Sequence, residues 1–208
     1  MDQTTTVDIR KQLEDHIMKT RTQNGLQGFV STAYLRNLLA SEACKKQLNE
    51  DYRDLNPREI RSLQTTISVS GSKMYGILVL LDKTELIEKL MSGEDPVTDE
   101  RLFGGEGKRT KPYCEMKELN QIPGLCGIAK QFYDKQWVFP PTLSSEDDQL
   151  FPPESFVFPF HSYPVNIGQG SYGGIFEVEI AAECLKSPIP PHTVRTKQVS
   201  SYVIPNDC

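Results

Sequence analysis

Apolar residues recur at helical spacing along the first part of the chain, with polar residues between them. A helix is predicted over about residues 6–22, after a weak capping box at residues 5–8. Its apolar positions are Val7, Ile9, Leu13, Ile17 and Met18. A second apolar stripe predicts one helix over about residues 32–49, capped by Ser31 or Thr32. The members of this stripe are Tyr34, Leu35, Leu38, Leu39, Cys44 and Leu48.

The clearest helix start lies at residues 56–59, where Asn is the cap, Pro the first helical residue and Glu the third. It predicts a helix over residues 57–68. Residues 74–81 are dense in apolar side chains, a pattern shared by buried helices and buried strands, and the helical neighbours favour a helix. Residues 82–85 resemble a capping box for a further helix, which ends at Gly93, a residue suited to left-handed backbone.

Glycines, prolines and charged residues dominate residues 93–124, which predicts a long loop. A further helix is predicted over about residues 128–137 and contains the only tryptophan, Trp137. Residues 140–153 combine prolines, serines and acidic residues, a composition typical of a linker. The chain therefore divides into three predicted parts: a helical module over 1–139, an acidic proline-rich linker over 140–155, and a strand-forming part over 156–208.

The last part switches to a period of two, which is typical of strands. Phe176, Val178 and Ile180 alternate with glutamates, and residues 156–165 form another β-favouring run. Between these runs lie three glycines at G-x-G-x-x-G spacing: Gly168, Gly170 and Gly173. Glycines allow backbone N–H groups to approach an anion closely. A dinucleotide-binding turn with this spacing leads into a helix, whereas a protein-kinase glycine loop joins two strands, so the following strand favours the kinase type.

The glycine loop and its flanks resemble those of protein kinases. The kinase pattern is matched at four positions, with isoleucine in place of valine: Gly168, Gly170, Gly173 and Ile175. The helical region, the acidic linker and residues 157–160 also resemble the N-terminal extensions of fungal serine/threonine protein kinase-like proteins. This resemblance implies an α+β fold, in which a mainly α-helical module precedes a short β-hairpin like the first strands of a kinase N-lobe.

The resemblance also implies a ligand, ATP with Mg²⁺. Backbone amides of the glycine loop would cover the phosphates, and Tyr172 would shield the loop tip. Ile167 and Ile175 would flank the adenine, and Lys197, the candidate third-strand lysine, would reach the phosphates. The residues implied in ATP binding are Ile167, Gly168, Gly170, Ser171, Tyr172, Gly173, Ile175 and Lys197.

Lys197 has a second interpretation, as a solvated lysine in a polar tail. Arg195 and Thr196 stand where a kinase strand has small and apolar residues, and a proline-rich run at residues 187–191 lengthens the connection. No H-R-D, D-F-G or A-P-E stretch occurs in the sequence. Because phosphoryl transfer depends on positioned charge and bound Mg²⁺, we assign no catalytic residue and no metal ligand, and we expect no kinase activity from this chain.

Charge and composition argue against other classes of function. A net charge of −5 gives no basic surface for nucleic acid. The polar first residues lack the pattern of a secretory signal, and the apolar run at residues 74–81 is too short to cross a membrane. We therefore expect an intracellular protein, cytoplasmic or nuclear. The five cysteines are scattered without a C-x-x-C pair, which predicts neither a zinc site nor a disulfide framework.

Two other functions stay open. One is a non-enzymatic helical module that binds a protein partner through its leucines, with the glycine loop as only a tight hairpin. The leucines concerned are Leu35, Leu38, Leu39, Leu86 and Leu90. Packing within the chain explains the same stripes. The other is a truncated kinase or gene-model fragment with no independent role. A proline-rich tail without a hydrophobic pattern, such as the one after Lys186, is typical of such a fragment.

Overall fold

A computed structural model of the chain describes residues 8–25, 27–93, 95–103, 113–141, 157–170, 173–184 and 194–196. The described part is rich in α-helix, as the sequence predicts. Its helices are α1 (Ile9–Asn24), α2 (Thr32–Leu39), α3 (Glu42–Asp51), α4 (Pro57–Ser70), α5 (Ser72–Leu80), α6 (Ile87–Met91), α7 (Asp99–Phe103), α8 (Met116–Leu119) and α9 (Ala129–Lys135). Its strands are β1 (Val165–Gly170), β2 (Gly173–Val178) and β3 (Val194–Thr196).

The first helix begins later than predicted. Asp8 is its N-cap, and the Asp8 carboxylate accepts a hydrogen bond of 2.8 Å from the backbone N–H of Arg10. The predicted capping box at residues 5–8 extends into residues outside the described part. At the other end Gly25 takes left-handed backbone (φ 66°) and donates its N–H to the Arg21 carbonyl, which ends α1.

The prediction of a single helix over residues 32–49 is wrong, because the chain forms α2 and α3 with a break at Ser41. The Ser41 hydroxyl donates to the Leu38 carbonyl at 2.6 Å and accepts from the Cys44 N–H at 3.3 Å. It therefore binds the end of α2 and caps the start of α3. The apolar stripe runs through both helices without interruption, so hydrophobic periodicity alone does not reveal the break.

The helices predicted around residues 57–68 and 74–81 are confirmed. The Asn56 side chain accepts from the N–H groups of Arg58 and Glu59, and the Glu59 carboxylate accepts from the Asn56 N–H, which forms a complete capping box for α4. Helix α5 is buried along nearly its whole length and contacts α1, α2, α4, α7 and α9. A helix enclosed on all sides needs no polar face, which explains its continuous apolar sequence.

The capping box predicted at residues 82–85 is wrong, because Asp82 belongs to the end of α5. Asp82 has left-handed backbone (φ 58°), and its N–H donates to the Val79 carbonyl while the Lys83 N–H donates to the Leu78 carbonyl. This is the hydrogen-bond pattern of a Schellman motif, usually formed with glycine. A short 3₁₀ turn over Thr84–Leu86 then leads into α6.

The long loop predicted over residues 93–124 is wrong in part, because α7 and α8 lie within it. The Asp99 carboxylate, at the start of α7, accepts hydrogen bonds from the backbone N–H groups of Lys73 and Met74 at the start of α5. Glu115 and Glu118 form a capping box that begins α8. Residues 104–112 lie outside the described part. Gly93 has left-handed backbone (φ 103°), as the sequence predicts.

The helices enclose one large apolar core centred on α5. Its fully buried members include Leu13, Leu48, Ile60, Leu78 and Phe132. At Gly76 the helix backbone approaches Phe139 so closely that an added Cβ would lie 2.8 Å from the ring. The chain after α9 therefore packs directly on the central helix. The predicted helix over residues 128–137 is confirmed as α9 followed by a 3₁₀ turn at Gln136–Val138.

The three strands form a small antiparallel sheet in the order β1-β2-β3. Residues before β1 and after β2 contact the helical module through a second, smaller apolar cluster. Its buried members are Phe29, Trp137, Val157, Ala181 and Cys184. The predicted linker at 140–155 lies mostly outside the described residues, which include only 140 and 141 of it. Within the described ranges, no helix combines the length and apolar character needed to cross a membrane.

Candidate phosphate-binding hairpin

Two of the predicted loop glycines face each other at the end of a hairpin. Gly170 pairs with Gly173 at the end of the antiparallel ladder of β1 and β2. Ser171 and Tyr172 make the connection between them and lie outside the described residues. Gly168 pairs with Ile175, after an irregularity in the ladder between Asn166 and Gly168. The described strands thus place the three glycines around one end of the hairpin.

The backbone amide of Gly168 has a local acceptor. Its N–H donates to the Asn166 side-chain oxygen at 3.0 Å, in an exposed position. Nothing lies within 4 Å of the point that a Cβ on Gly168 would occupy. The amide is therefore reachable from solvent, and its present partner is a neutral side chain from two residues earlier in the same strand.

An apolar side of β1 and the residues before it is exposed. The exposed fraction is 50% for Tyr163, 58% for Val165 and 48% for Ile167. The ladder pairs Ile175 with Gly168, the residue that follows Ile167 in β1. Apolar residues at this level of exposure on neighbouring positions form a surface able to contact a flat apolar group.

The third strand leads directly to Lys197. In β3, Thr196 pairs with Phe176 and Val194 pairs with Val178, so β3 runs antiparallel to β2. Lys197 is the next residue in the sequence and lies outside the described part. Arg195 stands opposite Glu177, which places opposite charges on paired positions of the two strands.

No candidate metal-binding cluster accompanies the hairpin in the described part of the chain. The residues that the structure describes contain no group of three or more His, Cys, Asp or Glu side chains able to hold a metal ion. Burial raises the pKa of the Cys44 thiol to about 11 and that of Cys184 to about 12, which keeps both thiols protonated and poorly nucleophilic. Cys126 is an exposed free thiol.

Each of the two described histidines makes contacts within the fold that are typical of a structural role. His16 stacks on Tyr34 with ring centroids 3.6 Å apart. Burial lowers the pKa of His16, Lys19 lowers it further, and Glu183 opposes both. His161 lies before β1 and donates its backbone N–H to the Glu179 carbonyl at 2.7 Å. His192 lies outside the described residues.

One polar cluster was not predicted from the sequence. Asp99 accepts hydrogen bonds from the Ser72 hydroxyl at 3.1 Å and from the N–H groups of Lys73 and Met74 at 2.8 and 2.9 Å. The Lys73 ammonium donates to the Pro140 carbonyl at 3.0 Å. Burial raises the pKa of Asp99, and the N–H groups of Met74 and Lys73, followed by the Lys73 charge, partly offset this shift. Burial lowers the pKa of Lys73, and the Asp99 charge partly offsets that shift. In the sequence, the only sign of this cluster is that Asp99 is an acidic residue before a short amphipathic segment.

A shallow polar cleft of about 140 Å³ lies elsewhere on the helical module. Its lining comes from α1, α3 and the end of α5 with the turn that follows, and includes Asp8, Arg10, Gln47 and Asp82. None of the residues of the glycine loop belongs to it. The cleft is therefore separate from the candidate phosphate-binding hairpin.

The leucine stripes considered for partner binding lie inside the helical module. Leu35, Leu38, Leu39 and Leu90 are buried in the apolar core, and Leu86 packs against it. Packing within the chain therefore accounts for both stripes, and these side chains are not presented to a partner in this fold.

Comparison with known proteins gives no relative from which a family or function can be transferred: no family model, no curated protein and no solved structure matches the chain.

Proposed function

We propose that the β1–β2 hairpin is the phosphate-covering element of a kinase-like N-lobe and that the protein binds Mg-ATP weakly without transferring its phosphate. The observation that carries the proposal is the strand–glycine–strand arrangement, with Gly170 and Gly173 paired at its end. A turn that leads into a helix, as dinucleotide binding requires, is absent from the described residues 173–184, which form β2, an isolated bridge and a 3₁₀ turn.

The surroundings of the Gly168 amide support the proposal that an anion binds at this position. The Asn166 side-chain oxygen accepts its hydrogen bond at 3.0 Å, so a negatively polarised oxygen already occupies the direction of this N–H. Hydrogen bonds to ionised oxygens are roughly twice as strong as those between neutral groups. A phosphate oxygen would therefore displace the carboxamide, and Asn166 would be free to turn towards solvent.

The adenine would rest on the exposed apolar side of β1 near Ile167. Covering apolar surface stabilises a complex by about 25 cal/mol per Å², but one sheet covers only one face of the base. Binding by this hairpin alone should therefore be weak, with a Kd of about 1 mM, which corresponds to about −4 kcal/mol. Lys197, which follows β3, would add its charge to the phosphates.

Phosphoryl transfer is not part of the proposal. It needs bound Mg²⁺ on protein carboxylates and a residue that accepts the proton of the attacking hydroxyl. The sequence has no H-R-D or D-F-G stretch to supply them. Binding without catalysis is therefore the activity that this hairpin supports.

Calorimetry with Mg-ATP tests the proposal on the full chain. The unmodified protein should bind Mg-ATP saturably and more tightly than adenosine, because the amides and Lys197 act on the phosphates. Gly170→Asp should abolish this preference, since it places a negative charge at the loop. Gly127→Asp is the matched control, because Gly127 lies between α8 and α9 of the helical module with nothing within 4 Å of an added Cβ.

Two results would contradict the proposal. One is the absence of saturable Mg-ATP binding by the unmodified chain at concentrations of about 10 mM, well above the expected Kd. The other is equal binding of Mg-ATP by the Gly170→Asp and Gly127→Asp variants.

A further inference from the structure

The strand-bearing segment, residues 157–184, contacts the helical module through the smaller apolar cluster, which we call the docking patch. Its buried residues are Phe29 and Trp137 on the helical module and Val157, Ala181 and Cys184 on the segment. The partly buried Tyr113, Tyr133 and Phe158 pack against them. The docking patch thus joins two parts of the chain that residues 142–156 connect in sequence.

The two ends of the segment are bonded to each other. The Ala181 N–H donates to the Pro159 carbonyl at 2.8 Å, and the His161 N–H donates to the Glu179 carbonyl at 2.7 Å. Phe160 and Ile180 form an antiparallel bridge between these bonds. Together with the β1–β2 ladder, these bonds make the segment a unit that can move without losing its internal hydrogen bonds.

The docking patch is much smaller than the core of the helical module. Among the described residues it contains five buried members, against 28 in the core. Hydrophobic stabilisation is roughly proportional to the apolar area removed from water. The contact between the segment and the module is therefore far weaker than the packing within the module.

A polar group at the docking patch further opposes its closure. The Trp137 Nε1 is buried, and no described group accepts a hydrogen bond from it. Separation of the segment would return this N–H to water, where its hydrogen bond is satisfied.

From these observations we infer that residues 157–184 open away from the helical module as one unit at the docking patch, while the helical core stays folded. The glycine hairpin then exists in a docked and an open state. Apolar contacts of Val157, Ala181 and Cys184 favour the docked state, and the buried Trp137 N–H favours the open state. Local opening of this kind is expected where few buried contacts hold a part of the fold. The inference does not depend on nucleotide binding.

Thiol labelling of the native full chain tests this inference. Cys126 is exposed, Cys184 lies in the docking patch and Cys44 lies in the helical core, so one protein reports on all three environments. Labelling with a maleimide, followed by peptide mass spectrometry, should give the highest rate at Cys126, an intermediate rate at Cys184 and the lowest rate at Cys44. Equal rates at Cys184 and Cys44 would overturn the inference, because both would then require global unfolding.

A charge in the docking patch gives a sharper test. Val157→Asp should raise the labelling rate of Cys184 by about tenfold or more, since a buried carboxylate opposes docking, and should leave Cys44 unchanged. Val69→Asp is the control, because Val69 is 80% exposed on α4. An equal increase at Cys184 and Cys44 in Val157→Asp would show that the two parts unfold together, against the inference.

Discussion

The helical module and the strand-bearing segment bury their apolar residues to very different extents. In the module, the central helix α5 has Tyr75, Ile77 and Leu78 without any exposed surface. In the segment, Val165 and Ile167 on one strand are about half exposed. The module therefore has the packing of an independent domain, whereas the sheet depends on support. An isolated hairpin is marginally stable in water, and the docking patch supplies some of that support.

The largest effect should come from truncating a core residue of the module. Leu78→Ala should lower the free energy of unfolding by about 2–5 kcal/mol, because Leu78 is fully buried and its removal leaves a cavity. Ile167→Ala, on the exposed side of β1, should change it by less than about 0.5 kcal/mol. Urea unfolding of both variants measures the difference. Similar losses would mean that the sheet and the module share one core.

A smaller, pH-dependent effect should come from His16. Its pKa is lowered by burial in the folded state, so the folded protein favours the neutral ring, while the unfolded chain titrates near 6.5. The stabilisation by His16 is therefore fully present above pH 6.5 and falls as the pH decreases below it. His16→Phe keeps a ring against Tyr34 without titrating.

Urea unfolding at pH 7.5 and 5.5 measures this effect. The unmodified protein should lose more stability than His16→Phe over this interval, since acidic residues contribute equally to both. Because Glu183 of the strand-bearing segment raises the pKa of His16, opening of the segment should change the pH dependence of stability that His16 contributes. Identical losses in the two proteins would contradict the expected titration.

The smallest effect should come from Asp82. Its left-handed backbone (φ 58°) is unfavourable for a residue with a Cβ, so Asp82→Gly should raise the free energy of unfolding by about 0.5–1 kcal/mol. Asp54→Gly, outside the helices, is the control. If the module and the segment open separately, Asp82→Gly should stabilise the module without changing the labelling rate of Cys184. A change at Cys184 would show that the two regions are coupled.

The sequence predicted those features of the fold that depend on neighbouring residues. The capping box of Asn56 and Glu59 is an example, because its donors and acceptors all lie within four residues. The break at Ser41 was missed because the apolar stripe continues through it. Asp82 was assigned to the wrong helix, since its side chain suits an N-cap while its backbone completes the Schellman motif of α5.

Long-range contacts could not be predicted in the same way. Asp99 binds the start of α5 across 25–27 residues, and periodicity contains no information on such a partner. For the candidate site, the glycine spacing predicted which residues lie together at the hairpin end. It did not predict that the Asn166 side chain accepts the Gly168 N–H, because that depends on a local irregularity in the ladder. ATP binding itself stays a prediction.

The hydrogen bonds from Asp99 also have a consequence for synthesis of the chain. The N-terminus of α5 obtains its acceptor only after residue 99 has left the ribosome, and Phe139, which packs on Gly76, emerges 40 residues later still. Until then α5, which is buried along nearly its whole length, lacks both its cap and its cover. This nascent segment is therefore the part of the chain with the greatest need for a chaperone during translation.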